Sequence, residues 1–185
     1  MTDGTGLSPI SDVDWPEDIA DLLPGFAGAL NVYRTMAHHP ALLRAWCDLR
    51  EHVVNQTALG RQRAEIVILR TGVRLASEYE WSQHVLRARS FGLDDTRIAS
   101  IGGEVDGMAA EDAILAQAVD DLFDVKRLSR QNRDALTALA GVHGVLDLMA
   151  TVGFYSTLGF ILNSFAVPLD ADAGLALEKA PLKSL

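Results

Sequence analysis

The chain has 185 residues, of which 49% are hydrophobic, so it is long and apolar enough for one folded domain with its own core. Its 25 acidic residues outnumber its 16 basic residues and give a net charge of −9. Nucleic acid and anionic membrane surfaces are therefore disfavoured as partners, because both bind to basic faces. The single cysteine, Cys47, excludes an intrachain disulfide. Together with an acidic N-terminus that lacks the pattern of a signal peptide, it leads us to expect a cytoplasmic protein.

Hydrophobic residues recur at helical spacing through most of the chain, and no run alternates in the manner of a strand. These patterns predict an all-α fold of about seven to eight helices. The predicted helices cover, in chain order, residues 26–37, 41–55, 61–75, 77–90, 94–100, 109–123, 130–140 and 145–166. The helical domain is expected over residues 21–168, between a flexible N-terminal tail, residues 1–20, and a C-terminal tail, residues 169–185.

The last predicted helix has the length of a membrane span. Residues 148–167 carry no charge, and about twenty such residues can cross a bilayer. The flanking residues are acidic and offer no Lys or Arg anchor. We therefore expect a helix that is buried in the core or at a subunit contact, and no membrane partner.

The stretch from Glu65 to His84 contains the residue types that can move protons. Ser77, Glu80 and His84 follow one another at spacings of about one helical turn, so they can share one face of a helix. Glu65 lies on the preceding predicted helix and reaches this face if the two helices pack as a hairpin. A carboxylate and an imidazole placed in this way can transfer a proton to a substrate.

Two other interpretations of the same residues stay open. Ser77 and Glu80 fit a capping box, with the serine at the N-cap and the glutamate at the third helical position, which stabilises the helix by about 1 kcal/mol. Glu65, Glu80 and His84 could also bind a metal ion, although no second His or Cys lies at ligand spacing nearby.

Arginines near this stretch are candidates for binding a substrate carboxylate. Arg70 and Arg74 lie one turn apart on the Glu65 helix, and a guanidinium can bind a carboxylate through two parallel hydrogen bonds. The alternative for each is an ion pair with an acidic residue of the chain. Tyr79 and Trp81, on the Ser77 helix, are further candidates for substrate contact, with burial in the core as the alternative for the tryptophan.

These motifs resemble the carboxymuconolactone decarboxylase and alkylhydroperoxidase D-like superfamily. The resemblance rests on Arg-x-Arg-x-Glu-Ile-Val-Ile-Leu-Arg at residues 61–70 and on Glu-Tyr-Glu-Trp-x-x-His at residues 78–84. Residues 32–46 and 153–163 also resemble that family, so the likeness covers roughly residues 24–168. The resemblance implies an all-helical fold that assembles as a homo-oligomer, a trimer or a hexamer.

The resemblance also implies a choice between two chemistries. The hydroperoxidase branch uses a Cys-x-x-Cys pair, and this chain has Ser77 and Glu80 at those positions, which disfavours a peroxiredoxin-like activity because disulfide cycling needs two thiols. The decarboxylase branch lacks the pair and acts on a small carboxylated lactone. It implies Glu65, Glu80 and His84, with Ser77, as catalytic candidates, no cofactor, and an arginine, Arg74 or Arg70, that holds the substrate. A non-catalytic oligomeric binding protein is the third alternative.

Overall fold

The computed structural model describes residues 6–182, and this part of the chain is helical and without strands, as the sequence predicts. Two short 3-10 helices, Glu17–Leu22 and Val105–Gly107, and a π-helical turn, His52–Gln56, accompany the α-helices. The α-helices are α1 Phe26–Ala29, α2 Asn31–Met36, α3 Pro40–Glu51, α4 Arg61–Leu75, α5 Glu78–Ser90, α6 Asp95–Ile101, α7 Ala110–Asp124, α8 Arg130–Phe165 and α9 Ala171–Lys179.

Helix α4 is the centre of the domain. All nine residues from Ala64 to Gly72 are buried, which means that the helix is covered on every side by its neighbours α5, α7 and α8. Its apolar residues contribute to two clusters, with Ile66 in the cluster towards α7 and Ile68 in the cluster towards α2 and α3. A helix that is surrounded in this way must find a partner for every polar side chain it carries.

Helices α4 and α5 form the hairpin that the acid–base interpretation requires. Ala76 takes a left-handed conformation (φ 48°, ψ 42°) that ends α4, and the Ser77 hydroxyl then accepts a hydrogen bond from the Glu80 amide at the start of α5. Gly72 allows the helices to approach closely, since a Cβ there would lie 3.4 Å from the backbone nitrogen of Trp81. The cap and the turn thus fix which face of α5 meets α4.

Helix α8 consists of two arms that meet at Gly141, where the backbone leaves helical geometry (φ 69°, ψ 177°). The predicted break between residues 140 and 145 is confirmed. The helix is long and apolar enough to cross a membrane by composition alone, and 56% of its most apolar 18-residue window is buried within the protein. That degree of burial agrees with the expected core helix.

Three segments differ from the prediction. The helix expected over residues 26–37 is divided in two because Leu30 is extended (φ −122°, ψ 131°). In the segment expected as an N-terminal tail, Ile19 is buried in the core. In the segment expected as a C-terminal tail, α9 packs against α5. These short elements were missed because apolar burial stabilises them without a long periodic pattern. Residues 1–5 and 183–185 of the expected tails lie outside the described residues.

The break in α8 gives a test of the fold. The conformation of Gly141 is one that essentially only glycine adopts, so Gly141→Ala is expected to lower the free energy of unfolding by about 1–3 kcal/mol. Gly153→Ala is the matched control, because it lies in the helical arm with no atom within 4 Å of the added Cβ, and it is expected to stabilise the protein by up to about 1 kcal/mol. Urea unfolding of both variants measures the difference; equal effects would contradict the kinked geometry.

Candidate acid–base site

A buried carboxylate on α4 faces an imidazole on α5. The Oε2 atom of Glu65 lies 2.6 Å from Nδ1 of His84, and the two residues are only 2% and 5% exposed. Arg87, one turn after His84, donates from Nε to the other oxygen of Glu65 at 3.1 Å. Both oxygens of the buried carboxylate therefore have a hydrogen-bond partner, as an ionised group in the interior requires.

The second carboxyl group, Glu80, lies on the opposite edge of the imidazole. Its Oε2 atom is 3.5 Å from Nε2 of His84, and its Oε1 atom is buried without a hydrogen-bond partner among the described residues. Burial raises the pKa of the Glu80 carboxyl from 4.5 to about 7; the charge of Glu65 raises this pKa further, and His84 acts in the opposite direction. Near neutral pH the group is thus divided between its acid and its carboxylate form.

These contacts define the path that a proton can take. A carboxylate accepts hydrogen bonds, so the interaction with Glu65 places a hydrogen on Nδ1 of the His84 ring. The other ring nitrogen, Nε2, faces Glu80, the carboxyl group with a raised pKa. The arrangement can hold one proton between Glu80 and His84 and release it to a molecule bound beside them.

A cavity of about 250 Å³ adjoins this pair. Helices α2, α3, α5 and α8 and the π-helical turn supply its wall. The lining residues are Leu30, Val32, Tyr33, Arg50, Val54, Tyr79, Glu80, Gln83, His84, Arg87, Tyr155 and Leu158. The wall is therefore mainly apolar and aromatic, and its polar groups are one carboxyl group, one imidazole, two guanidinium groups, one side-chain amide and three phenols. A few polar groups that converge in an apolar cavity are typical of a small-molecule site.

Two of these phenols are kept protonated by their surroundings. Burial is the main cause that raises the pKa of Tyr33 and of Tyr155 well above the ordinary value of 10. The Tyr155 ring also meets the His84 ring edge-on, with centroids 4.9 Å apart, and so helps to fix the imidazole. Both hydroxyls can therefore serve as hydrogen-bond donors at neutral pH.

The C-terminal segment supports one side of the cavity through Asp170. This carboxylate accepts a hydrogen bond from the Tyr79 hydroxyl, one from Gln83 Nε2 at 2.5 Å and one from the Asn31 amide at 2.8 Å. Tyr79 and Gln83 belong to the cavity wall, whereas Asp170 does not. The segment expected as a tail therefore positions two residues of the candidate site.

Some residues predicted for the site lie elsewhere. Ser77 is fully buried as the cap of α5 and does not line the cavity, so the capping interpretation accounts for it. Arg70 binds Asp120 through two hydrogen bonds, and Arg74 binds both Asp120 and Asp124. These acids lie on α7, on the other side of α4 from the cavity. The assignment of both arginines to substrate binding is corrected.

The prediction that Trp81 contacts the substrate is corrected in the same way. It is buried in the cluster of apolar residues towards α6 and α7, and a Cβ on Gly102 would lie 3.4 Å from its ring. Its neighbour Tyr79 does line the cavity. The two side chains differ because residues two apart on a helix point about 200° apart, and the α4–α5 contact places Trp81 on the core side.

The metal interpretation does not fit the geometry. Glu65 approaches one edge of the His84 ring and Glu80 the other, so the three side chains do not converge on one point. Within residues 6–182, no cluster of three or more His, Cys, Asp or Glu side chains is arranged to hold an ion.

The only thiol lies outside the cavity. Cys47 is half-buried on α3, and its Sγ donates a hydrogen bond to the Leu43 carbonyl oxygen at 3.3 Å. Burial raises the pKa of this thiol, which lowers the fraction of reactive thiolate.

The sequence analysis missed five residues of the cavity wall that carry polar groups. They are Tyr33, Arg50, Gln83, Arg87 and Tyr155. A signal existed for Gln83 and Arg87, because they follow Glu80 and His84 at spacings of three on one helical face. No local signal marks Arg50 or Tyr155, which come from distant helices.

Comparisons with known proteins agree with this fold. Residues 40–120 match the sequence model of the carboxymuconolactone decarboxylase family. No curated protein matches the chain by sequence. The expected family resemblance is confirmed over the matched residues, which include Glu65, Glu80 and His84.

Solved structures match over nearly the full length. A cysteine-to-alanine variant of the debrominase Bmp8 in complex with 2,3,4-tribromopyrrole is 15% identical, with 97% of this chain and 99% of that chain covered and a TM-score of 0.72. An uncharacterized peroxidase-related protein from Silicibacter sp. TM1040 is 12% identical, with 94% and 97% covered and a TM-score of 0.75. Apo Bmp8 is 15% identical, with 95% and 98% covered and a TM-score of 0.72. At these identities the similarity shows a shared fold.

The raised pKa of Glu80 predicts how stability depends on pH. Between pH 4.5 and about 7 the folded protein keeps a proton on Glu80 that the unfolded chain has lost. The free energy of unfolding therefore falls as the pH rises through this range, and Glu80 accounts for a fall of about 3 kcal/mol in total. Glu80→Gln removes this titration and is expected to flatten the fall. Glu78→Gln, an exposed change on the same helix, is expected to leave it unchanged. Urea unfolding at pH 5 and pH 8 provides the measurement, and identical pH dependence in wild type and Glu80→Gln would contradict the assignment.

Proposed function

We propose, on the premise that residues 40–120 belong to the carboxymuconolactone decarboxylase family, that this chain is an acid–base enzyme that acts without a cofactor on a small carboxylated, lactone-type substrate. The observation that carries the proposal is a row of three buried side chains. Glu65 contacts one edge of the His84 ring, Glu80 lies at the other edge, and His84 and Glu80 line an apolar cavity. The cavity of about 250 Å³ is smaller than those typical of drug-sized ligands, which favours a small substrate.

Decarboxylation explains why this wall would carry a proton donor. When the bond between a carbon atom and its carboxylate breaks, carbon dioxide leaves and the bonding electron pair stays on the carbon. That carbon then takes up a proton. Glu80, whose pKa is raised to about 7, can supply it directly or through Nε2 of His84, because both groups lie beside the cavity.

Glu65 has a supporting role in this proposal. It does not line the cavity, and it contacts only the far edge of the His84 ring and Arg87. By accepting the Nδ1 hydrogen it fixes the ring and stabilises the imidazolium that forms if Nε2 is protonated. Glu65 is therefore a positioning residue, and Glu80 and His84 are the proposed catalytic residues.

The alternatives have less support. A peroxiredoxin-like activity needs thiols at the site, and Cys47 lies outside the cavity with a raised pKa. Loss of peroxide consumption in Cys47→Ser, compared with the wild type, would revive this alternative. An apolar cavity without His84 at its wall would favour a non-catalytic binding protein, whereas His84 lines this cavity.

A homo-oligomer, trimer or hexamer, is part of the proposal. Val142, Leu146 and Phe160 on the second arm of α8 are 59–65% exposed, which would suit a subunit contact. The proposed location is the cytoplasm, and the proposed partner is a small-molecule substrate.

Turnover of carboxymuconolactone and of related small carboxylated lactones tests the proposal. His84→Gln is expected to lower kcat at least about 100-fold, because the change removes a general acid–base group. His143→Gln, an exposed histidine outside the cavity, is the matched control and is expected to keep the wild-type rate. Equal rates for wild type and His84→Gln would remove the imidazole from the mechanism.

A further inference from the structure

We infer that Arg50 binds an anionic group of the substrate that is retained in the product, and that it thereby determines which substrates the cavity accepts. The inference rests on the proposed function for the identity of the reaction, but the binding of an anion at Arg50 can be measured without turnover. Sequence patterns did not single out this residue, which reaches the cavity from α3.

The first observation is the charge balance of the two cavity arginines. Arg87 is paired with Glu65, so its charge is compensated within the protein. Arg50 forms no ion pair with any carboxylate in the part of the chain that the structure describes. In a chain with a net charge of −9, in which ten other arginines have an acidic partner, a guanidinium without one at a cavity wall is unusual.

The second observation is how the Arg50 side chain is held. Its Cζ atom lies over the Phe26 ring, 3.8 Å from the ring centroid, and 5.9 Å from the centroid of the Tyr33 ring, so aromatic rings hold the guanidinium. Its Nε atom is buried and has no hydrogen-bond acceptor among the described residues. Stacking leaves the N–H groups in the plane of the guanidinium, where a planar carboxylate can accept two of them.

The third observation is that the surroundings do not cancel this charge. Glu80 is the carboxyl group in the cavity wall, and burial favours its neutral form up to a pH of about 7. The Tyr33 hydroxyl stays protonated because burial raises its pKa, and it can donate a further hydrogen bond to an anion beside Arg50. The guanidinium of Arg50 therefore gives the cavity a positive charge that a substrate anion would neutralise.

The chemistry decides which anionic group Arg50 would hold. A carboxylate that leaves as carbon dioxide must lose its charge, and a guanidinium bound to it would stabilise the ground state more than the transition state. Catalysis is favoured when Arg50 binds a second carboxylate, one that keeps its charge, while the leaving carboxylate and its carbon lie beside Glu80 and His84. Arg50 then selects substrates that carry a carboxylate which the product retains.

Binding of benzoate, a planar monocarboxylate, with benzamide as its uncharged counterpart, tests the inference by isothermal titration calorimetry at pH 6.5. The wild type is expected to bind benzoate at least tenfold more tightly than benzamide. Arg50→Gln is expected to weaken benzoate binding at least tenfold without changing that of benzamide, and Arg50→Lys to weaken it less. Arg44→Gln, an exposed change on the same helix, is the matched control and is expected to have no effect.

The outcomes separate this inference from the proposed function. His84→Gln is expected to abolish turnover but to bind benzoate within about threefold of the wild type, because the imidazole takes no part in holding the retained carboxylate. Benzoate binding that persists in a lactone-inactive wild type would refute the proposed function alone. No preference of the wild type for benzoate, equal affinity of wild type and Arg50→Gln, or a dependence on Arg87 in place of Arg50 would overturn the inference. Near-ultraviolet circular dichroism verifies that each variant is folded.

Discussion

The domain depends on one constraint, which is that a central helix surrounded by apolar neighbours carries a buried carboxyl group. Glu65 is 2% exposed on α4, and an isolated charge in such a place costs several kcal/mol. Hydrogen bonds from His84 and Arg87 offset this cost, and both donors come from one face of α5. The same bonds therefore hold two helices in register and fix the imidazole that the cavity presents.

The interior of the protein treats its other buried ionisable groups differently. Arg70, also on α4, is neutralised by Asp120 and by the carbonyl oxygens of Ile101 and Gly103, so its interactions are complete without a ligand. Glu80 and Arg50 are not completed in this way, because each has a buried polar atom with no partner among the described residues. Both lie at the same cavity. Incomplete hydrogen bonding of buried polar groups is costly to stability, and two of the three side-chain atoms in this state among the described residues belong to this cavity, where a bound molecule could be their partner.

The structural neighbours illustrate why the site, and not the fold, must carry the functional argument. A debrominase and a peroxidase-related protein share this helical arrangement at 12–15% sequence identity. The fold provides a cavity bounded by α2, α3, α5 and α8, and the side chains that line it decide the chemistry. In this chain those side chains are an imidazole, a carboxyl group with a raised pKa and two arginines, with no thiol among them. The proposed proton transfer rests on this combination.

The sequence by itself determined the helical fold, the bounds of α4 and α5 to within a residue, the break near Gly141 and the placement of Glu80 and His84 on one face of α5. These features follow from short-range rules, because helical spacing and the Ser77 cap act within a few residues of one another. Only the tertiary structure decided that Arg70 and Arg74 face α7, that Arg50 and Tyr155 line the cavity, and that Asp170 supports its wall. Such contacts join residues far apart in the chain, and they depend on how helices pack against one another, which the spacing within each helix does not specify.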